Sequence, residues 1–257
     1  MHNKLTALFE KKNKGILNVF CTAGFPEFNS LPEVLVALQE NGADIIEIGI
    51  PYSDPLADGP VIQQSNMVAL KNGMSLPALF RQLNDVKEKI QVPVILMGYL
   101  NPVMQYGLEQ FCKDASAAGV AGIIIPDMPM DEYEKSYQSF FKEHGLSFIF
   151  LITPQTSEKR IRKADKLSSG FIYAVSSSAV TGTAFNIAIQ TGYFKKLVSM
   201  ELKNPILIGF GIGDKKSFDI ACAFAAGAIV GSAYIKALSG SNNIAGTTAE
   251  FIKTLKG

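Results

Sequence analysis

Histidine is almost missing from this chain of 257 residues. His2 stands beside the first residue and His144 falls late in a helical stretch, so a Ser/His/Asp relay or a His-based metal site lacks the residues it needs. Cysteine is equally scarce. Cys21, Cys112 and Cys222 are odd in number, far apart and without CxxC or Cys/His spacing, which reads as reduced core thiols of a cytoplasmic protein. No apolar run approaches the roughly 18 residues of a membrane-crossing helix, and the start at Met1-His2-Asn3-Lys4 lacks the apolar stretch of a signal peptide. Charge of one sign is missing too: 24 basic and 23 acidic residues, scattered without long runs, leave a net charge of +1. That balance gives no footprint for nucleic acid or an anionic membrane, and a small-molecule substrate fits better. Gly/Ser-rich linkers, low-complexity tracts and composition shifts are absent, so one domain spanning residues 1–257 is expected, long enough to enclose a core without disulfides.

What is present is a regular beat of short apolar run, Gly/Pro-containing turn and longer amphipathic stretch. Eight runs read as strands: Ile16–Cys21, Asp44–Gly49, Val94–Gly98, Gly122–Ile125, Ser147–Ile152, Phe171–Val175, Pro205–Gly209 and Ala228–Val230. Between them, stretches such as Leu31–Glu40, Ser75–Ile90, Met130–Glu143 and Lys215–Ala225 have helical spacing. Alternating strands and helices imply right-handed βαβ units and a parallel sheet. Eight units at this length predict an α/β fold that closes as a single (β/α)8 TIM barrel, preceded by an additional N-terminal helix carrying Leu5, Leu8 and Phe9. The open doubly wound alternative would find support in Gly209-Phe210-Gly211-Ile212-Gly213 after a strand. That segment reads GxGxG, however, and lies near the C-terminus, whereas a dinucleotide fingerprint reads GxGxxG in the first βα turn.

A βα barrel builds its site from the C-terminal ends of its strands and the loops that follow. Two carboxylates stand there. In Asp44-Ile45-Ile46-Glu47-Ile48-Gly49 the period-two alternation sends Ile46, Ile48 and Ile50 to one face and Ile45, Glu47 and Gly49 to the other. The all-aliphatic face should meet the helices, leaving Glu47 inside the barrel near its top, where burial should raise its pKa toward the range of a general acid or base. The purely structural alternative is a Glu satisfied by a buried Arg, Lys or Tyr. The second carboxylate lies in the long turn-forming connection Pro51–Pro60, where Asp58 would project back over the mouth and Asp54 would anchor the loop or face a partner; an Asx turn is the plainer role for each. Two carboxyls reaching one cavity would suit paired acid/base work.

Phosphate has its own signature, the loops after the last two strands of a barrel with the N-terminus of a short helix. Gly209-Phe210-Gly211 and Gly231-Ser232 fall at those two places, although simple turn glycine is the competing reading. After Phe171–Val175 comes the small, polar segment Ser176–Thr183, whose composition suits either a lid, with Thr181 and Gly182 near the phosphate, or an ordinary surface loop. The strand Phe171–Val175 carries no lysine, which disfavours a Schiff-base aldolase, and a carboxylate-only Mg2+ site is unmotivated, so no metal is expected.

The segment from Glu47 to Pro60, Glu-Ile-Gly-Ile-Pro-Tyr-Ser-Asp-Pro-Leu-Ala-Asp-Gly-Pro, resembles the signature of tryptophan synthase α subunits. Thr22–Pro26, Gly98–Pro102, Pro126–Pro129, Val180–Gly182, Gly209–Ile212 and Val230–Ala233 match that family in order and spacing along the chain. The resemblance implies a retro-aldol lyase acting on indole-3-glycerol phosphate, with Glu47 as main acid/base and Asp58 holding the indole NH. Tyr173 matches a family tyrosine near the glutamate, either taking part directly or filling the barrel. Gly182, Gly211, Gly231 and Ser232 would cradle phosphate with Thr181 nearby; Phe20, Tyr99, Leu100 and Phe210 would line the indole pocket; and Asp127 would sit at the same mouth or hold a loop. The implied partner is a pyridoxal phosphate-dependent β subunit in an αββα assembly, met near Pro51, Asp54, Asn101 and Pro102, with no cofactor in this chain itself. Ala179 departs from a glycine common in the family just before Val-Thr-Gly, which bears on lid gating. The rivals are another phosphate-binding barrel enzyme, disfavoured by the Glu47–Pro60 signature, and a non-catalytic subunit, disfavoured because both carboxylates are kept.

Overall fold

The computed structural model describes residues 3–55, 58–176, 187–209 and 211–257, and of residues 187–190 the backbone alone. The strands are β1 (Ile16–Thr22), β2 (Ile45–Gly49), β3 (Val94–Met97), β4 (Gly122–Ile124), β5 (Ser147–Phe148), β6 (Leu151–Ile152), β7 (Ile172–Val175), β8 (Ile206–Gly209) and β9 (Gly227–Val230). They pair in parallel in the order β5-β4-β3-β2-β1-β9-β8-β7-β6. Helices connect all of them but β5 and β6 and cover the outer face, so the strands are buried on both sides, as their Ile/Val/Leu-rich runs require.

The nominal edges β5 and β6 are one stretch of chain, and this closes the sheet into a TIM barrel. The run expected as one strand from Ser147 to Ile152 is split at Ile149 and Phe150. The ladder continues through the gap, since Ile149 N–H donates to Ile123 at 3.0 Å and Tyr173 N–H to Phe150 at 3.1 Å. The split has a cause in Ser168 and Ser169, whose hydroxyls accept the Phe150 and Phe148 N–H groups at 3.1 Å each in place of strand carbonyls. Elsewhere the boundaries move by a residue or so, apart from Ser75–Ile90, whose helix runs Leu76–Val86, and the turn Tyr133–Tyr137, which widens to π geometry within the helical run from Met130.

The N-terminal helix Lys4–Lys11 seals the barrel at the end opposite the site. Asn3 caps it through the Leu5 and Thr6 N–H groups, and its Nδ2 donates to Ala121 O, Gly145 O and Ser147 Oγ at 2.8, 3.0 and 3.1 Å. Leu5 is fully buried; a Cβ on Gly170 would lie 2.6 Å from its Cδ2. With this floor closed and the core packed, the open end is the one formed by the C-terminal ends of the strands.

Candidate active site

Glu47 is the third residue of β2, in register with Phe20 of β1 and Ile95 of β3, and is fully buried. Its inward parity brings it to Asn18 of β1, whose Nδ2 donates to Glu47 Oε2 at 2.7 Å. No hydrogen bond reaches Glu47 Oε1 among the described residues. Burial pushes its pKa from 4.5 to about 8; the Asn18 bond opposes that rise and the negative charge of Asp58 adds to it. Among the described residues no cation offsets the burial, and the side chain that bonds to Glu47 is Asn18, not the Arg, Lys or Tyr of the structural alternative. A carboxyl in this setting exchanges its proton near neutrality.

Asp58 comes from the loop between β2 and the helix Pro60–Lys71. Tyr99, two residues beyond β3, donates its hydroxyl to Asp58 Oδ2 at 3.2 Å, and the Tyr99 ring lies 5.2 Å from that of Tyr52 in the same loop as Asp58. Burial raises the Asp58 pKa to about 6, against the lowering by Tyr99. Asp127, after β4, accepts the Leu100 N–H at 2.9 Å and so ties the loop after β4 to the loop after β3.

Tyr173 projects from β7 into the same interior. Burial, and then the negative charges of Glu47 and Asp58, hold its phenol protonated well above the ordinary range. The backbone beside it has to be glycine, because a Cβ on Gly209 would stand 2.2 Å from Tyr173 Cε2. Gly49 plays the same part for Phe20, whose Cζ would lie 2.4 Å from an added Cβ. Phe20 therefore covers the end of β2, and its Cβ approaches Gly231 on the other side. Gly211 has a φ of +78°, a conformation for which glycine suits the turn after β8. Gly231 precedes the short helix Ser232–Leu238 directly after β9. The two glycine segments thus follow adjacent strands.

The remaining sequence candidates divide. Pro51 and Pro102 line one groove with Ile50, Met74, Leu76 and Tyr106, and the Asn101 amide donates to the Tyr52 hydroxyl at 3.3 Å. Asp54 is exposed and accepts from the Ser53 hydroxyl. Thr181, Gly182, Phe210 and Ala179 lie outside the described residues, as does the Ser176–Thr183 segment beyond Ser176. Among the described residues no three His, Cys, Asp or Glu side chains group as a metal site, and no helix is long and apolar enough to cross a membrane. Asn18 was not among the sequence candidates. Its signal was an isolated polar residue of inward parity in the apolar run Ile-Leu-Asn-Val-Phe, sharing the face of Phe20.

The sequence model of the family described as "Tryptophan synthase alpha chain" matches residues 6–256. The chain belongs to that family. A tryptophan synthase alpha chain from Flavobacterium psychrophilum is 50% identical over 230 residues, covering 89% of this chain and 91% of the relative. One from Parabacteroides distasonis is 48% identical over 256 residues, with 99% of each chain covered. Among solved structures, tryptophan synthase subunit alpha from Legionella pneumophila superposes with a TM-score of 0.89 at 30% identity, covering 99% of this chain and 97% of that one. A tryptophan synthase alpha-subunit mutant from Pyrococcus furiosus gives 0.86 at 31%, covering 95% and 98%. This alpha chain is therefore an enzyme subunit, and a β subunit is implied beside it.

Proposed function

We propose that this alpha chain is a carbon-carbon lyase that cleaves indole-3-glycerol phosphate to indole and glyceraldehyde 3-phosphate. The observation that carries the reading is the pair of carboxyls: Glu47, buried without a cation and titrating near pH 8, and Asp58, held by Tyr99 and titrating near pH 6. Protonated Glu47 would give its proton to indole C3, which breaks the aromaticity of the ring and leaves positive charge on it. Asp58, ionised at neutral pH, would accept the indole N–H and stabilise that charge. Glu47, now a carboxylate, would take the proton of the glycerol hydroxyl as the bond to C3 breaks; the electron pair returns to the ring, the hydroxyl carbon becomes an aldehyde, and the proton count on Glu47 is restored. Tyr173, whose phenol stays protonated beside both carboxyls, would either take part at this step or fill the barrel beneath it.

Phosphate would be held by the turns at Gly211, Gly231 and Ser232, with Gly182 and Thr181 from the loop after β7. Phe20, Tyr99, Leu100 and Phe210 would line the indole pocket, with Asp127 securing the Leu100 loop. A β subunit, which alone would hold pyridoxal phosphate, would receive indole in an αββα assembly; Pro51, Asp54, Asn101 and Pro102 would face it, with Asp54 in the loop that couples the two sites. Three free thiols suit a cytoplasmic setting, and the barrel from 1 to 257 works as one domain.

Glu47→Gln tests the reading. It keeps shape and hydrogen-bonding capacity but cannot move a proton, so cleavage should fall by at least about 10²-fold while affinity for glycerol phosphate is kept. Turnover at the wild-type rate would overturn the assignment.

A further inference from the structure

Asn18 is fully buried in β1, in the run Ile16–Cys21 that is otherwise apolar. A buried amide is retained at a cost unless its groups are used. Its Nδ2 donates to Glu47 Oε2 at 2.7 Å, whereas its Oδ1 and Glu47 Oε1 each lack a hydrogen bond among the described residues. The register gives the direction of approach. Asn18 pairs with Ile45 and Phe20 with Glu47, so Asn18 stands two residues nearer the floor of the barrel than Phe20, whose ring lies over the end of β2.

We infer that Asn18 is a positioning residue for the acid/base step: its amide grips one oxygen of Glu47 from the floor side and leaves the other free to carry the moving proton. This deepens the lyase reading above and rests on it. While Glu47 is a carboxylate the N–H side serves it. When Glu47 is protonated on Oε1, Oε2 is a carbonyl oxygen and accepts the same N–H, more weakly than the carboxylate does. An acid/base that must pass between both states in each turnover thus keeps a partner in both, which an aliphatic residue of the same volume would not supply.

The other groups that act on Glu47 do not replace it. Asp58 contributes a like charge that favours the protonated state. The Tyr173 phenol and the Cys21 thiol are both kept protonated by burial and by the Glu47 charge, and bring no positive charge. Among these, Asn18 is the group whose bond favours ionised Glu47.

The test uses the full chain with its β partner and the variants Asn18→Leu, similar in volume, and Asn18→Ala, which asks no new volume of the barrel should the first not fold. The Glu47 carboxyl is titrated directly by 13C NMR of chain labelled at glutamate carboxyls, its resonance identified by its loss in Glu47→Gln, and the pH profile of kcat is recorded alongside. The midpoint should rise by about one pH unit or more in the variants, leaving about tenfold less carboxylate below it. The basic limb of kcat, where Glu47 loses the proton that the first step needs, should move up by the same amount, with KM within about threefold. An unshifted midpoint, or a kcat loss equal at every pH, would overturn the role of Asn18 while leaving an active wild-type chain and its lyase reading intact. A wild-type chain that titrates as described but releases no indole would instead overturn the lyase reading, and the role of Asn18 with it.

Discussion

Replacing Glu47 by glutamine should stabilise the fold at pH 8.5 and leave it nearly unchanged at pH 4.5, apart from a constant packing offset. The folded chain holds the Glu47 proton up to a pKa of about 8, whereas an exposed glutamate releases it near 4.5. Between those values the unfolded chain has lost the proton and the folded chain keeps it, so each rise in pH favours unfolding. The loss begins near pH 4.5 and levels off above about 8, once native Glu47 ionises as well. Over that span of about 3.5 pH units, at about 1.36 kcal/mol per unit, wild type forgoes on the order of 5 kcal/mol. The Glu47→Gln side chain has no proton to release, and the variant forgoes none of it. Asp58, raised from 3.8 to about 6, adds a loss of the same sign in both chains and drops out of their difference to first order. Urea denaturation followed by circular dichroism at half-unit steps from pH 4.5 to 8.5 measures that difference. It should open steadily in favour of the variant. A difference that stays flat across the range would refute a buried, uncompensated carboxyl at this position.

Three further outcomes follow from particular contacts. Gly49→Ala places a Cβ 2.4 Å from Phe20 Cζ, so the ring must move; kcat/KM should fall at least about tenfold, with about 1–3 kcal/mol of stability lost, by steady-state kinetics and denaturation. Tyr99→Phe removes the hydroxyl bonded to Asp58 and raises the Asp58 pKa further. KM should therefore rise about 3–10-fold near pH 6.5 but less than about twofold at pH 8, where Asp58 is ionised in either case. Asn3→Ala loses the cap of the first helix and three bonds to the barrel floor, and the thermal midpoint should drop by about 2–8 °C with activity at 25 °C retained.

The barrel was legible because the signal is redundant. Eight buried parallel strands each need an apolar run, and the helices between them each need one apolar stripe, so small boundary errors such as Asp44 for Ile45 leave the topology intact. Glu47 was legible because parity in Ile45–Gly49 allows one inward face only, whereas Tyr173 was singled out by the resemblance alone. The split at Ile149 and Phe150 was not, because the residues responsible, Ser168 and Ser169, lie 18 to 21 positions away and act by tertiary hydrogen bonds. Asn18 escaped for a related reason: its neighbours are apolar, and only the pairing of β1 with β2 brings its amide to Glu47. The Tyr52–Tyr99 contact and the Tyr99 bond to Asp58 likewise depend on how two loops meet above the strands, which local periodicity does not encode. The resemblance supplied roles that parity could not, since an inward carboxylate alone does not name its substrate.

The most direct test of the whole account is the release of indole from indole-3-glycerol phosphate by the purified chain, measured with and without a matched β subunit. Indole release should require Glu47 and rise when the β subunit is added. No release even with a competent β subunit would contradict it.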